Sequence, residues 1–220
     1  MILNFDSLVN KYRLYIKGVI HIGAYIGEEY ENYNDHRIKN MIFFEPVSRH
    51  FSILSDKVAA GRSSLHQDSI HLENKALGNE NKMIDMNISE GGGGSGASSS
   101  VLKPKLHLKL HDHITFPSTE KVEMIRLDDY WALNDKTNQN AYNFINIDVQ
   151  GYELEVFKGA ANTLKNIDYV ISEVNKDEVY EGCAQIEELD TFLSQFGFER
   201  VEVNWAGGAW GDAFYIKRNS

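Results

Sequence analysis

One cysteine, Cys183, among 220 residues leaves nothing for an internal disulfide or a multi-cysteine metal site, and it suits a reducing compartment. No apolar run reaches the roughly 18 residues that a membrane span needs, and residues 1–17 lack the continuous apolar core of a signal peptide. Positive charge is scarce as well: 22 Lys and Arg face 32 Asp and Glu, a formal net charge of −10. That balance opposes a high-affinity nucleic-acid or anionic-membrane surface, since both depend on a positive field. At 42% hydrophobic and 25% charged, what remains fits one globular domain over residues 1–220, read as soluble and cytoplasmic.

The most informative stretch is Val19-Ile20-His21-Ile22-Gly23-Ala24-Tyr25-Ile26-Gly27-Glu28-Glu29. An apolar, β-branched run ends in a glycine, crosses a short loop to a second glycine and meets paired acids at a helix start. A buried parallel strand hands over to a helix in this way, and ligands of open α/β sheets bind at such turns. The glycines allow positive φ and close backbone approach, so a cofactor can lie on the loop.

Leu8, Tyr12 and Tyr15 stand at helical spacing, which predicts an amphipathic helix over residues 4–16, packed on the sheet or over its pocket. Residues 40–44 read as a second buried strand stopped by Pro46. Glu45 lies at its tip, where ribose hydroxyls are hydrogen-bonded in nucleotide-binding units. Residues 51–58 predict the next helix. Residues 69–77 and 82–89 are strand-like runs divided by Gly78-Asn79, which reads as a tight turn. Asn74-Lys75-Ala76 sits where a third strand ends, placed for adenine-edge contacts or as an ordinary polar turn.

Residues 89–100 have the composition of a glycine-serine linker. The α/β pattern is incomplete before them and resumes after them, so the expectation is a mobile loop inside one domain. Ser98, Ser99 and Ser100 would offer hydroxyls to a substrate there. His107, His111 and His113 have no acid or cysteine partner at ligand spacing, which argues against a metal, and Pro104 and Pro117 bracket an irregular stretch. Residues 122–127 alternate as a strand, and Asp128-Asp129-Tyr130-Trp131 begins a short helix.

Residues 144–160 repeat the first pattern: a strand, Asp148 at its tip, a turn at Gly151 and a helix. Residues 169–175 form a further strand ending with Glu173, which sets Asp148 and Glu173 on one rim. An amphipathic helix over 186–196 is followed by strands at 200–205 and 211–217, joined through Gly207-Gly208.

A dinucleotide site usually shows Gly-x-Gly-x-x-Gly, and this chain has Gly-Ala-Tyr-Ile-Gly instead. Glu28 and Glu29, expected in the first helical turn, favour the helix dipole and repel a pyrophosphate. The same acidic rim suits the sulfonium and ammonium of S-adenosylmethionine.

In this order the segments resemble the FkbM family of S-adenosylmethionine-dependent methyltransferases. The likeness runs through Ile20-His21-Ile22-Gly23-Ala24-Tyr25-Ile26-Gly27-Glu28-Glu29, Phe44-Glu45-Pro46 and, most specifically, Ile147-Asp148-Val149-Gln150-Gly151-Tyr152-Glu153. Ser98-Ser99-Ser100-Val101-Leu102, Arg126-Leu127-Asp128-Asp129 and Trp210-Gly211-Asp212-Ala213-Phe214-Tyr215 are similar to family segments too. The resemblance implies an α/β, class I (Rossmann-like) methyltransferase fold: a seven-stranded, mostly parallel sheet with an antiparallel last strand and helices on both faces. It implies methyl transfer to a hydroxyl, with a sugar in a glycan or polysaccharide as the expected acceptor, and it leaves open a place within a larger glycan-synthesis protein. RNA ribose methylation and a non-catalytic cofactor-binding domain are the alternatives.

Carried over by position, the resemblance places Gly23, Ala24 and Gly27 on the methionine side, Glu45 at the ribose, Asn74 and Ala76 at the adenine and Asp148 near the sulfonium, with His21 and Tyr25 also expected at the cofactor. Many members have aspartate where this chain has His21, which leaves Glu28 or Asp148 to meet the cofactor ammonium. An acceptor hydroxyl needs a base or a divalent cation. Asp148 or Glu173 is expected to act, directly or by holding the cation, with Glu153 orienting the acceptor. Gln150 and Trp210 join the serines on the substrate side; Trp131, Trp205 and Trp210 either stack on sugar faces or belong to the core.

Overall fold

The computed structural model describes residues 2–61, 69–91, 96–133 and 137–218. The first half of the chain forms α1 (Phe5–Tyr12), β1 (Gly18–Ile22), α2 (Tyr30–Asp35), β2 (Asn40–Phe44), α3 (Ser48–Gly61), β3 (Ile70–Glu73), β4 (Ala76–Leu77) and β5 (Lys82–Glu90). The second half forms α4 (His107–Leu110), β6 (Thr115–Ile125), α5 (Leu127–Leu133), β7 (Phe144–Ile147), α6 (Glu153–Lys158), β8 (Tyr169–Asn175), α7 (Ile186–Ser194), β9 (Phe198–Ala206) and β10 (Trp210–Lys217).

Seven strands make one sheet in the order β3-β2-β1-β7-β8-β10-β9. Neighbours are parallel except at β10, which is antiparallel to both β8 and β9. The order reverses between β1 and β7, so the binding crevice of such a sheet opens beyond the carboxyl ends of these two strands. Alternation along the strands sends Ile20, Ile22, Ile42, Ile145 and Ile147 to one face, against side chains of α5, α6 and α7. Val19, Met41, Phe43 and Phe144 go to the other face, against α1 and α3. Each such fully buried side chain contributes about 1.5–3 kcal/mol relative to exposure.

The first helix is shorter than its spacing predicts. Asn4 caps it by accepting from the Ser7 N–H at 2.8 Å, and Arg13 ends it at a left-handed φ of 52°, leaving Tyr15 outside and exposed. Glu28 and Glu29 precede α2 and do not lie in its first turn, because residues 25–29 form turns with Tyr25 at φ 49° and Gly27 at φ 75°. Strand β8 continues two residues past Glu173, which therefore lies within it, opposite Asp212.

A second sheet, in the order β4-β6-β5, was not legible in the sequence. Gly78-Asn79 does not close a hairpin, because β6 lies between the runs on either side of it. The Gly78 N–H donates to the Ile125 carbonyl at 3.0 Å, and a Cβ there would fall on the Met124 sulfur. Strand β6 also runs through Pro117, beside a register shift between Ile88 and Glu90 where a missing N–H is tolerated. Of the glycine-serine segment, residues 92–95 lie outside the described residues. No helix among the described residues is long and apolar enough to cross a membrane.

Candidate active site

Two loops meet at the switch point. After β1 the N–H groups of Gly23 and Ala24 both donate to the Phe44 carbonyl, at 2.9 and 3.0 Å. Gly23 sits at φ 78°, and a Cβ on it would fall on the Asp148 carbonyl oxygen, so the close approach of the two loops requires glycine. After β7 the Asp148 N–H donates to the Ile22 carbonyl at 3.0 Å, which fixes the second loop to the first.

The second loop then turns through Gln150 and Gly151, at φ 56° and 96°. Glu153 holds this turn from behind: its Oε1 accepts from the N–H groups of Val149 and Gly151 at 3.0 and 3.1 Å. The side chain is fully buried and its Oε2 has no hydrogen-bond partner among the described residues. Burial, reinforced by Asp148, pushes the Glu153 carboxyl up to about 7.

Glu45, at the end of β2, is also buried. Its Oε2 accepts from the Tyr25 N–H and its Oε1 from the Val47 N–H, both at 2.8 Å. Asn74 fastens the same turn, donating to the carbonyls of Glu45 and Pro46 at 2.9 Å.

Around these loops lie two cavities. The first encloses about 550 Å³ including its mouth and is mostly apolar, with Phe44, Val47, Ala76, Leu77 and Val149 around the Glu45 carboxylate. The second encloses about 930 Å³ and is polar, lined by His21, Glu28, Glu29, Glu173 and Trp210 among others. They share Gly23, Tyr25, Ala97, Asp148 and Gln150. Asp148 is the acid common to both.

Gln150 binds the acids together: its Nε2 donates to Asp148 Oδ1 at 2.7 Å and to Glu173 Oε2 at 2.6 Å. Burial, with Asp148 and Glu153 close by, holds the Glu173 carboxyl well above the usual carboxylate range. Its strand neighbour Asp212 is raised by burial too, and its Oδ2 accepts from the N–H groups of Ile2 and Leu3. Among the described residues, no group of three or more His, Cys, Asp or Glu is placed to hold a metal ion.

His21 is settled by its face of the sheet. It lies beside Asn146 in register, and the Asn146 Nδ2 donates to the Tyr33 hydroxyl at 2.6 Å. That leaves the Tyr33 hydrogen for His21 Nδ1, 3.3 Å away, and puts the imidazole N–H on Nε2, 3.9 Å from Glu29 Oε2. Burial lowers the His21 pKa to about 3, so the ring is neutral.

This arrangement is matched in sequence: the FkbM methyltransferase domain model covers residues 21–200. The chain belongs to the FkbM methyltransferase family. Among known relatives of this FkbM methyltransferase, the 2-O-methyltransferase NoeI of Sinorhizobium fredii (strain NBRC 101917 / NGR234) is 28% identical over 185 residues, covering 81% of this chain and 71% of that protein. The crystal structure of an FkbM methyltransferase from Methylobacillus flagellatus KT superposes with a TM-score of 0.60 at 12% identity. That match covers 90% of this chain and 43% of the other, so the present chain spans less than half its length. Sp1610 of Streptococcus pneumoniae, solved with S-adenosyl-L-methionine, gives a TM-score of 0.52 at 13% identity over 99% of this chain and 73% of that one. At such identities the structures establish the fold alone.

S-adenosylmethionine, the cofactor that goes with the family, fits the paired cavities of this FkbM chain. An apolar cavity with one buried carboxylate suits a nucleoside, the glycine at the join leaves room for backbone approach, and the acidic cavity suits a cation. His21, Gly23, Ala24, Tyr25, Glu28, Glu45, Ala76 and Asp148 line one cavity or both. Gly27 and Asn74 line neither; Gly27 packs against Leu54 as part of the turn, and Asn74 works through the backbone of Glu45.

Of the residues expected to meet a substrate or catalyse transfer, Ser98, Gln150, Glu173 and Trp210 line the polar cavity and Ser99 the apolar one. Ser100 is buried and donates to the Gln150 carbonyl at 2.8 Å, which makes it a brace. Glu153 is likewise committed to the turn and lines neither cavity, so direct contact with an acceptor does not follow from its position. Trp131 donates to Thr163 at 2.9 Å and packs in the core, and Trp205 packs there beneath Lys176. Sequence reasoning missed Tyr180, and it weighed His107 and His111 only as metal ligands. Their spacing carries no motif, and only the fold brings them to the Asp148 loop.

Proposed function

We propose that this chain transfers a methyl group from S-adenosylmethionine to a hydroxyl oxygen of a sugar, within a glycan or polysaccharide. The observation that carries this reading is the join of an apolar, carboxylate-bearing cavity with a wider polar one at Gly23 and Asp148. When bound, S-adenosylmethionine supplies an electrophilic methyl carbon on a sulfonium.

The chain's own residues do the rest. Glu45 receives ribose hydroxyls with lone pairs that Tyr25 and Val47 leave over. Asp148, held by Gln150, orients the acceptor hydroxyl where the cavities meet. Trp210 offers a face for a sugar ring, and Ala97 and Ser98 narrow the mouth and exclude water. Alignment of oxygen, carbon and sulfur supplies much of the rate. Oxygen as the receiving atom is supported by the 2-O-methyltransferase to which the chain is similar. The net charge of −10 favours a neutral glycan over RNA.

The test is incubation with methyl-labelled S-adenosylmethionine and, in separate arms, a panel of mono- and oligosaccharides and an RNA mixture, with and without a chelator. Label recovered as a sugar methyl ether supports the reading, and the chelator arm decides whether a divalent cation takes part. Label recovered in RNA, or S-adenosylhomocysteine binding with no transfer to any hydroxyl, overturns it.

A further inference from the structure

The polar cavity has a wall that no loop motif supplies. His107, the first residue of α4, and His111, the residue just past its end, line it with ring centroids 4.9 Å from each other. His107 is 3% exposed, 5.4 Å from the ring of Phe116 and 5.3 Å from that of Tyr180. Its Nδ1 has no hydrogen-bond partner among the described residues. Buried polar atoms are nearly always paired, so an unpaired imidazole nitrogen in a cavity-lining residue marks a candidate partner for a ligand's hydrogen bond. Burial, with His111 next to it, lowers the His107 pKa to about 4 and keeps the ring neutral.

The wall is held in place. The N–H groups of Lys105 and His107 both donate to the Val179 carbonyl at 3.0 Å, and the Glu181 N–H donates to Lys103 at 2.8 Å. Tyr180, in the same segment, passes its hydroxyl to Gln150 Oε1 at 2.8 Å. Gln150 in turn holds Asp148 and Glu173. One connected set of contacts thus fixes the histidines relative to the acids.

From this we infer that the histidine wall completes the acceptor site: His111 takes the proton of the hydroxyl being methylated, and His107 binds a second hydroxyl of the same polyhydroxylated acceptor through Nδ1. The inference rests on the hydroxyl-transfer reading above. In the step, the acceptor O–H bond breaks and its proton passes to the His111 imidazole, while the oxygen's electron pair forms the bond to the methyl carbon. The carbon–sulfur pair stays on sulfur, leaving S-adenosylhomocysteine. Glu173 is buried and its Oε2 already accepts from Gln150 Nε2 at 2.6 Å. Asp148, Glu28 and Glu29 line the same cavity and stabilise the imidazolium that forms, with neutral His21 and His107 adding no opposing charge.

The test uses the full chain and its His111→Ala, His111→Gln and His113→Ala variants, with S-adenosylhomocysteine calorimetry, thermal melting and methyl transfer to a panel of methyl glycosides. Expected are a kcat loss of about 100-fold or more in both His111 variants, unchanged S-adenosylhomocysteine binding and melting, and partial rescue of His111→Ala by free imidazole. His113, whose side chain is 58% exposed, serves as the neighbouring control and keeps the parent rate when changed to Ala. Retention of rate by the His111 variants, or a loss that imidazole does not restore, overturns the assignment. A parent chain that binds S-adenosylhomocysteine and methylates no glycoside overturns the acceptor reading and this inference with it. No binding at all overturns the cofactor reading instead.

Discussion

The Tyr180 hydroxyl stands 2.8 Å from Gln150 Oε1, and this contact couples the segment that carries α4 to the loop that carries Asp148. Tyr180 is fully buried, so its hydroxyl is part of a network in which each partner depends on the next. Tyr180→Phe should cost about 1 kcal/mol of stability by the loss of that hydrogen bond. If Tyr180 positions the acceptor site, the variant loses roughly tenfold in kcat while the S-adenosylmethionine KM stays put; a purely structural tyrosine would leave kcat unmoved.

Asp148 is the acid that both cavities share. Asp148→Asn keeps the shape of the side chain and one acceptor oxygen for Gln150, and removes its charge. Transfer should fall by about 100-fold or more, with the melting temperature close to that of the parent. Full turnover by Asp148→Asn would sink the role given to it.

Gly23→Ala tests the meeting of the two loops. The new Cβ would fall on the Asp148 carbonyl oxygen, at a φ of 78° that alanine avoids. The cost should exceed about 1 kcal/mol, and S-adenosylhomocysteine binding should be lost before folding is. Calorimetry alongside a denaturant titration separates the two.

Glu153 makes stability depend on pH. Its carboxyl sits at about 7 in the folded chain against an ordinary 4.5, so the folded state holds the proton longer than the unfolded one. Its contribution is complete below pH 4.5 and is lost as pH rises to 7 and beyond, by up to roughly 3 kcal/mol. His21 and His107, lowered to about 3 and about 4, act in the opposite sense, losing stability as pH falls below the ordinary histidine value of 6.5. The measurement is therefore a difference: unfolding free energy of the parent minus that of Glu153→Gln, followed from pH 4 to 8. That difference should decline with rising pH, and a flat one would refute the assignment.

Much of the sheet could be read from residues alone. Val19 to Ile22 and Phe144 to Ile147 are buried on both faces and show it as apolar runs interrupted only by His21 and Asn146. Those two polar residues are neighbours in register and share Tyr33, a pairing that needs the parallel alignment of strands far apart in sequence. The second sheet was hidden for a related reason. Strand β4 has two residues, and its pairing with β6 joins Ala76 to Met124 across a long intervening segment.

The site was legible where it lies next to a strand end and illegible elsewhere. Gly23, Glu45 and Asp148 announce themselves because a turn after a buried strand is where ligands bind. Glu153, one turn further, looks the same in sequence as a solvated helix-start acid, yet its Oε1 collects two backbone N–H groups in a fully buried position. Asn74 sits beside Lys75 and Ala76, which line the apolar cavity, but turns its amide onto the Glu45 backbone. Local pattern marks a loop; only packing decides which of its side chains face outward.

Strands β5 and β6 pair from Lys82 opposite Met124 to Glu90 opposite Thr115. The chain therefore leaves the body of the protein and re-enters it at one spot, with Ala97, Ser98, His107 and His111 all carried on the excursion. Its length and sequence can drift without disturbing a single strand of the seven-stranded sheet. The same excursion also carries Gly96, Ala97, Ser99 and Val101 to the apolar cavity, so a change within residues 96–111 reaches both cavities at once.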